Sequence, residues 1–317
     1  MNKYYNYVIF HKKCPDGFTG FFILHKSKQI HYDAIILPDV PSAKTSPNNI
    51  ENKDIIIIDV AYKYSVLRDI ILKSKSVLFI DHHITIRDDV IKLENEFKHK
   101  FKSIYDEKKS GATLTWDYFY PKKKHPYFID LIEDNDIGKW KLPNIKDFIT
   151  GFNVNFNLKL NEQNIKNFNQ LFKNATITNL IKKGKIYNEY KKYLTDENST
   201  RISIERFPSE KIYKTYSTIF KKSGQYKVAV YCGSSCPNPT ELADKVLKDN
   251  NCDFFISWVL NLDREEYVLT MRSINVDVGE IAKLFNGGGH MYAAACSFKM
   301  SKYNITDLFL GSSLPIN

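Results

Sequence analysis

Two short apolar runs, at residues 55–58 and 77–80, constrain the fold of this chain more than any other feature. Each is unbroken and four residues long, the pattern of a strand buried on both faces of a parallel sheet. Between them Tyr62, Val66 and Ile70 recur at helical spacing beside Leu67 and Ile71, so the unit reads β-α-β. A right-handed crossover leaves both strands parallel and opens their carboxyl ends on one edge, where open α/β sheets bind ligands. Asp59 ends the first strand, and Asp81, His82 and His83 end the second. An Asp after a strand often caps the next helix. Capping accounts for one acid at a time and leaves the two histidines unexplained.

The same edge collects a third strand end. Residues 4–10 read as a strand that runs out at His11, followed by Cys14, Asp16 and Gly17 and then a helix carrying Phe18, Phe21 and Phe22. Gly17 and Gly20 let that helix start close against the sheet, and its N-terminal loop suits an anion or a metal-bound phosphate. Alone, His11 reads as a loop histidine and Asp16 as a turn residue. Three strand ends carrying metal-type ligands make coincidence a poor account. Further strands are expected at 31–37 and 101–105, and helices at 87–99, from Ser110-Gly111-Ala112 to about 120, at 127–133 and over much of 163–194. Of Asp134 and Asp136, one reads as a solvated helix end and the other as a last ligand.

With 317 residues there is room for two domains, and 43% hydrophobic with 26% charged residues is the balance of a globular protein. No apolar run approaches ~18–20 residues and residues 1–10 do not resemble a secretion signal, so a soluble, cytoplasmic protein is expected. Five scattered cysteines make no disulfide framework, and Cys232 and Cys236 have no second metal-type pair nearby. A formal charge of +10 suits a polyanionic partner, although much of it is lysine mixed with Asn, Ile and Tyr, as an A/T-rich coding sequence also produces.

The domain connection is expected between residues 190 and 206, giving domains 1–190 and 206–317. The second half predicts strands at 214–220, 227–232, 254–260, 267–272 and 296–299, with helices at 240–249 and 278–285. Near its end stand Gly287, Gly288, Gly289 and His290, before Ala293-Ala294-Ala295. Three glycines can let backbone N–H groups approach an anion, with His290 and the preceding Arg272 adding donors.

Taken together, His11 to Gly17, Asp59, Asp81-His82-His83, Asp134 to Asp136 and the distant Gly287-Gly288-Gly289-His290 resemble the DHH phosphoesterases with their associated C-terminal domain. The resemblance spans almost the whole chain. It implies an N-terminal parallel-sheet α/β domain that binds two divalent metals, a smaller C-terminal α/β domain for substrate, and an active-site cleft between them. It further implies that Asp59 bridges the metals, that His82 binds one directly with Asp81 supporting it, that His83 faces the substrate phosphate, and that Asp136, or in its place Asp134, completes that site. His11 and Asp16 belong to the other site. There the family offers a His and two Asp residues two positions apart: either Cys14 stands where the first Asp is usual and Asp16 is the second, or Asp16 is the first and Phe18 stands in place of the second, and in the former case thiolate is a soft partner for hard ions.

Two cations can hold and activate a water while neutralising phosphoryl charge. Mixed imidazole and carboxylate ligands suit Mn²⁺ better than Mg²⁺. The expected function is a Mn²⁺-dependent phosphoesterase acting on a short or single-stranded nucleic acid or a nucleotide. The alternatives are a polyphosphate or pyrophosphate hydrolase, and a catalytically impaired nucleotide-binding homologue.

Overall fold

A computed structural model of the chain describes residues 3–233 and 239–310, so Cys236 lies outside the described residues. Contacts divide the chain into Met1–Asn188 and Glu189–Asn317. The first unit contains β1 (Tyr5–His11), α1 (Pro15–Ser27), β2 (Ile30–Asp39), β3 (Asp54–Ile58), α2 (Tyr64–Lys73), β4 (Ser76–Asp81), α3 (Arg87–Glu96) and β5 (Phe101–Tyr105). Then come α4 (Gly111–Phe119), α5 (Tyr127–Asp136), α6 (Ile145–Asn155), α7 (Glu162–Phe168) and α8 (Asn174–Ser199), the last of which crosses the division. The five strands are all parallel, in the order β2-β1-β3-β4-β5.

This order reverses between β1 and β3, because the chain leaves β1 toward one side of the sheet and returns on the other. Ligand crevices in such folds open at that reversal, outside the carboxyl ends of the strands. The isoleucines of β3 show why nothing polar intrudes below it. Ile55 and Ile57 pack on one face with Val66, Leu67 and Ile70, and Ile56 and Ile58 on the other with Phe18, Phe21 and Ala112. Both faces are closed, so charged groups are confined to the strand ends.

Helix α6 is not evident from sequence pattern, since Gly151 interrupts it. Its glycine is required by α8: a Cβ on Gly151 would lie 2.0 Å from the Leu180 carbonyl oxygen, and one on Gly184 would lie 1.7 Å from that of Asp147. The two backbones touch where neither residue has a side chain.

The second unit adds β6 (Ser203–Phe207), α9 (Glu210–Thr215), β7 (Tyr226–Cys232), α10 (Pro239–Asn250), β8 (Phe254–Asn261), β9 (Glu266–Ser273), α11 (Val278–Lys283), β10 (Gly288–His290) and β11 (Ala293–Lys299). These strands form a mixed sheet, β10-β11-β9-β8-β7-β6, in which only β7 and β8 run parallel. The strand expected at 214–220 is absent, and β6 takes its place in the sheet. The Ser209 hydroxyl accepts from the Ile212 N–H and starts a helix there, and the buried side chains of Ile212 and Phe220 anchor this segment to the core. Among the described residues no helix is long and apolar enough to cross a membrane.

Candidate metal centre

The site is assembled at the reversal in strand order. After His11 the chain turns at Lys13, whose φ is +59°, and Cys14 becomes the N-cap of α1. Pro15 and Asp16 form the first turn. Asp16 is completely buried, and a Cβ on Gly17 would fall 2.6 Å from that of His11, so α1 starts in contact with the strand end. Asp59, 1% exposed, follows β3 with φ at +61°, a left-handed conformation that Asp and Asn adopt more readily than most residues. Its N–H bonds the Ile80 carbonyl across the sheet at 2.9 Å.

Asp59 faces two ways. Its Oδ2 lies 3.3 Å from His11 Nδ1, and its Oδ1 lies 3.3 Å from His82 Nε2. The same His82 nitrogen is 3.1 Å from Asp136 Oδ2 and 3.9 Å from Asp16 Oδ2. Two groups with metal-ligand spacing result, His11–Cys14–Asp59 and Asp16–His82–Asp136, so that Asp16 stands with His82 and not with His11 as the resemblance implies, and His83 joins Asp59 and His82 in a third that overlaps both. Within this cluster His11 Nδ1, Asp59 Oδ2 and His82 Nε2 are buried without a hydrogen-bond partner. Unpaired buried polar atoms are costly, and divalent cations would satisfy all three. The residues present therefore fit a two-cation site.

Asp81 is also fully buried. Its Oδ1 accepts from the backbone N–H groups of His82 and His83 and from the His83 ring, whose Nδ1 is 2.8 Å away. It orients His83, and not the His82 ring that the family resemblance assigns to it. Asp134 is engaged elsewhere: its carboxylate accepts from the backbone N–H groups of Lys141 and Leu142, holding the turn after α5. Asp136, at the end of the same helix, faces His82.

Burial disfavours a charged His82, yet the Asp59 carboxylate beside it and the charges of Asp16 and Asp136 outweigh that and push its pKa up to about 9. Burial and the Asp59 charge push Asp136 up to about 6. Asp16 is held well above the usual carboxylate range by burial and by Asp59 and Asp136. For Asp59 burial acts upward too, but the His11 and His82 rings beside it and the charge of His83 leave it below the ordinary value. In the metal-free protein these neighbours favour the protonated form of His82.

Because the folded pKa of His82, about 9, exceeds its ordinary 6.5, the stabilisation it contributes is complete below ~6.5 and lost as pH rises through ~9. A cation must displace that proton. We therefore expect Mn²⁺ binding at pH 7 to release protons and to tighten between pH 7 and 9. Calorimetric titration in buffers of different ionisation enthalpy measures this; proton uptake, or affinity flat with pH, would contradict the geometry.

One part of the centre escapes sequence reading. The N–H groups of Gly111 and Ala112, at the start of α4, donate to the two oxygens of Asp16 at 2.7 and 2.9 Å. A helix N-terminus stabilises such a charge. The local signal is Ser110-Gly111-Ala112, with Ser110 as N-cap, but the partner lies 95 residues earlier in the chain. A Cβ on Gly111 would sit 2.9 Å from both Asp16 Oδ2 and Asp59 Cβ. Gly111→Ala should consequently lower metal affinity by about 10–100-fold, the usual cost of disturbing a ligand's support, with a smaller effect on melting temperature. Metal titration alongside thermal melting tests this; unchanged affinity would mean that the carboxylates absorb the methyl group freely.

In the second unit the glycine triplet does not form an anion loop. Gly288 and Gly289 belong to β10, which pairs antiparallel with β11, and a Cβ on Gly287 would lie 2.2 Å from the Ala295 carbonyl. Close packing, rather than ligand approach, explains Gly287. The register sets His290 opposite Ala293 and Ala293 opposite Arg272, so these three share one row across adjacent strands. Arg272 donates to Thr240 Oγ1 at 3.2 Å and to its neighbour's carbonyl.

No family model matches the chain. An uncharacterized protein of Acanthamoeba polyphaga mimivirus is 29% identical over 309 residues, covering 92% of this chain and 67% of that one. Among solved structures, a pGpG-specific phosphodiesterase from Vibrio cholerae aligns over 95% of both chains with a TM-score of 0.50 at 12% identity. An exopolyphosphatase-related protein from Bacteroides fragilis aligns over 94% of this chain and 87% of its own at TM-score 0.39 and 15% identity. The first alignment shows a shared fold, consistent with the two α/β sheets described above.

Proposed function

We propose that the chain is a metal-dependent phosphoesterase of the DHH type that hydrolyses short phosphodiester-linked nucleotides. The observation that carries this reading is the group of five side chains, His11, Asp16, Asp59, His82 and Asp136, at the sheet edge with three buried ligand atoms unpaired. Divalent cations held there, Mn²⁺ by the mixed donor set, would supply Lewis acidity at the phosphoryl oxygens and a lowered pKa for the attacking water.

The residues divide the remaining work. Asp59 offers one oxygen to each side, while Asp16 is pinned by the α4 N-terminus and keeps its place. Asp81 fixes the His83 ring through Nδ1, leaving Nε2 for a phosphoryl or leaving-group oxygen. The bond to Asp81 raises the His83 pKa, which favours the imidazolium donor form.

A cavity of about 540 Å³ on the same edge supports an extended anionic substrate. It is lined by Lys12, Lys13 and Lys159 with Pro38, Leu158 and Leu160, a mixture suited to a phosphate and an adjoining base. Arg272 and His290 are the proposed substrate contacts of the second unit. The solved neighbour's pGpG substrate belongs to the same chemical class.

A panel tests this: linear dinucleotides, short RNA and DNA, a cyclic dinucleotide, an adenosine bisphosphate, pyrophosphate and polyphosphate, each incubated with the protein and Mn²⁺. Cleavage of a linear dinucleotide or short strand is expected. Turnover of polyphosphate or pyrophosphate alone would replace this reading, and hydrolysis of none would leave a binding protein.

A further inference from the structure

Resting on the two-cation reading, we infer that the two sides of the centre differ in metal preference: His11–Cys14–Asp59 takes a borderline-soft divalent ion of the zinc or cobalt kind through a thiolate bond, beside a harder ion at Asp16–His82–Asp136. The ligand atoms of His11, Cys14 and Asp59 lie within 4.8 Å of one another, close enough to surround one cation. Two of them, His11 Nδ1 and Asp59 Oδ2, are buried, 3.3 Å apart and unpaired. Asp59 itself is 1% exposed, so this is an interior ligand aimed into the group and not a solvated acid.

Cys14 is placed for ligation rather than for packing. It is half-buried at the N-cap of a 13-residue helix, with its sulfur within 4.8 Å of the His11 and Asp59 ligand atoms. The chain takes a left-handed turn at Lys13, between His11 and Cys14. Burial and the carboxylates of Asp59 and Asp16 disfavour the thiolate of Cys14. A cation between those groups reverses the local charge and ionises the thiol.

Sulfur decides the preference. One imidazole, one thiolate and one carboxylate make a donor set common for zinc, whereas Mn²⁺ and Mg²⁺ favour oxygen. The other group, with two carboxylates and one imidazole, has the harder set. On binding, the Cys14 S–H proton passes to the buffer as the sulfur–metal bond forms, and no oxidant or reductant is involved.

The test uses the full chain stripped of metal with a chelator, then titrated with Co²⁺ as spectroscopic probe and with Zn²⁺ in competition. Wild type should develop the near-ultraviolet charge-transfer band of a thiolate–cobalt bond, and the band should survive Cys232→Ser and Cys252→Ser. Cys14→Ser should lose it and bind Zn²⁺ at least about 10-fold more weakly, with Mn²⁺ affinity changed little. Cys14→Asp, which replaces sulfur by oxygen, should also lose the band and bind Mn²⁺ more tightly. It serves as the second variant should Cys14→Ser melt early. Cobalt bound without the band, a band that persists in both Cys14 variants, or no cobalt bound at all would each overturn the inference. Mn²⁺-supported hydrolysis of a small chromogenic phosphodiester, run in parallel, separates the thiolate site from the activity. Hydrolysis without the band refutes only the thiolate site, and the band without hydrolysis refutes only the phosphoesterase.

Discussion

Asp59→Asn should lower turnover by at least about 10³-fold, while the metal-free variant should keep its stability to within about 1 kcal/mol of wild type. The large effect follows from geometry: one carboxylate presents separate oxygens to His11 and His82, and an amide offers a single weak acceptor in place of two charged ones. The small effect on folding has three causes. Asn tolerates the left-handed backbone at this position almost as well as Asp does. Its neutral side chain also relieves Asp16 and Asp136 of a repelling charge, offsetting the lost charge attraction to the two histidines. The side chain lies at the end of β3, outside the isoleucine core. Ligand binding separates the variants further. Mn²⁺ at 100 times its dissociation constant would stabilise wild type by about 2.7 kcal/mol, and most of that thermal shift should vanish in the variant. Near-normal turnover would end the bridging role, and a metal-free protein that fails to fold would make Asp59 structural.

His82→Ala and His83→Ala should fail in different ways. His82 Nε2 stands between three carboxylates with no partner of its own, so its loss should weaken metal binding by about 100-fold or more. His83 is tied to Asp81 through Nδ1 and is about one-third exposed. Its removal should leave metal affinity nearly unchanged and lower kcat by about 10²–10⁴-fold, the usual range for a general acid or base. Mn²⁺ titrations of both variants, then rate measurements at saturating metal, separate the two effects. Equal metal loss in both would make His83 a ligand and remove its assignment to the substrate.

The strand ends are legible because β3 and β4 are buried on both faces, and a fully apolar run stops abruptly where Asp59 and Asp81 begin. Other parts depend on partners far along the chain. Gly151 has the look of a helix breaker, and only the Leu180 carbonyl explains it. Gly111 resembles an ordinary helix start, and only Asp16 reveals why a side chain there is unwelcome. Residues 214–220 are rich in Tyr, Thr, Ile and Phe, which favour strands locally; the Ser209 cap and two buried anchors override that preference. The glycine triplet suggests conformational freedom, which Gly289 uses at φ +146°, whereas at Gly287 the limit is the space against Ala295. Choosing between Asp134 and Asp136 is likewise beyond pattern, since both lie in the last turn of α5 and only the backbone of 141–142 claims one of them.

The hold of α4 on Asp16 changes what would have to be moved to rebuild this centre in another protein. A graft of the three strand-end loops alone would carry the ligands of all three strand ends and still leave Asp16 facing an apolar interior with no donors for its oxygens. The smallest transferable unit includes the first turn of α4, with Ser110, Gly111 and Ala112, docked against α1 at the same spacing. A designer working from ligand positions would omit that turn, because none of its residues offers a ligand.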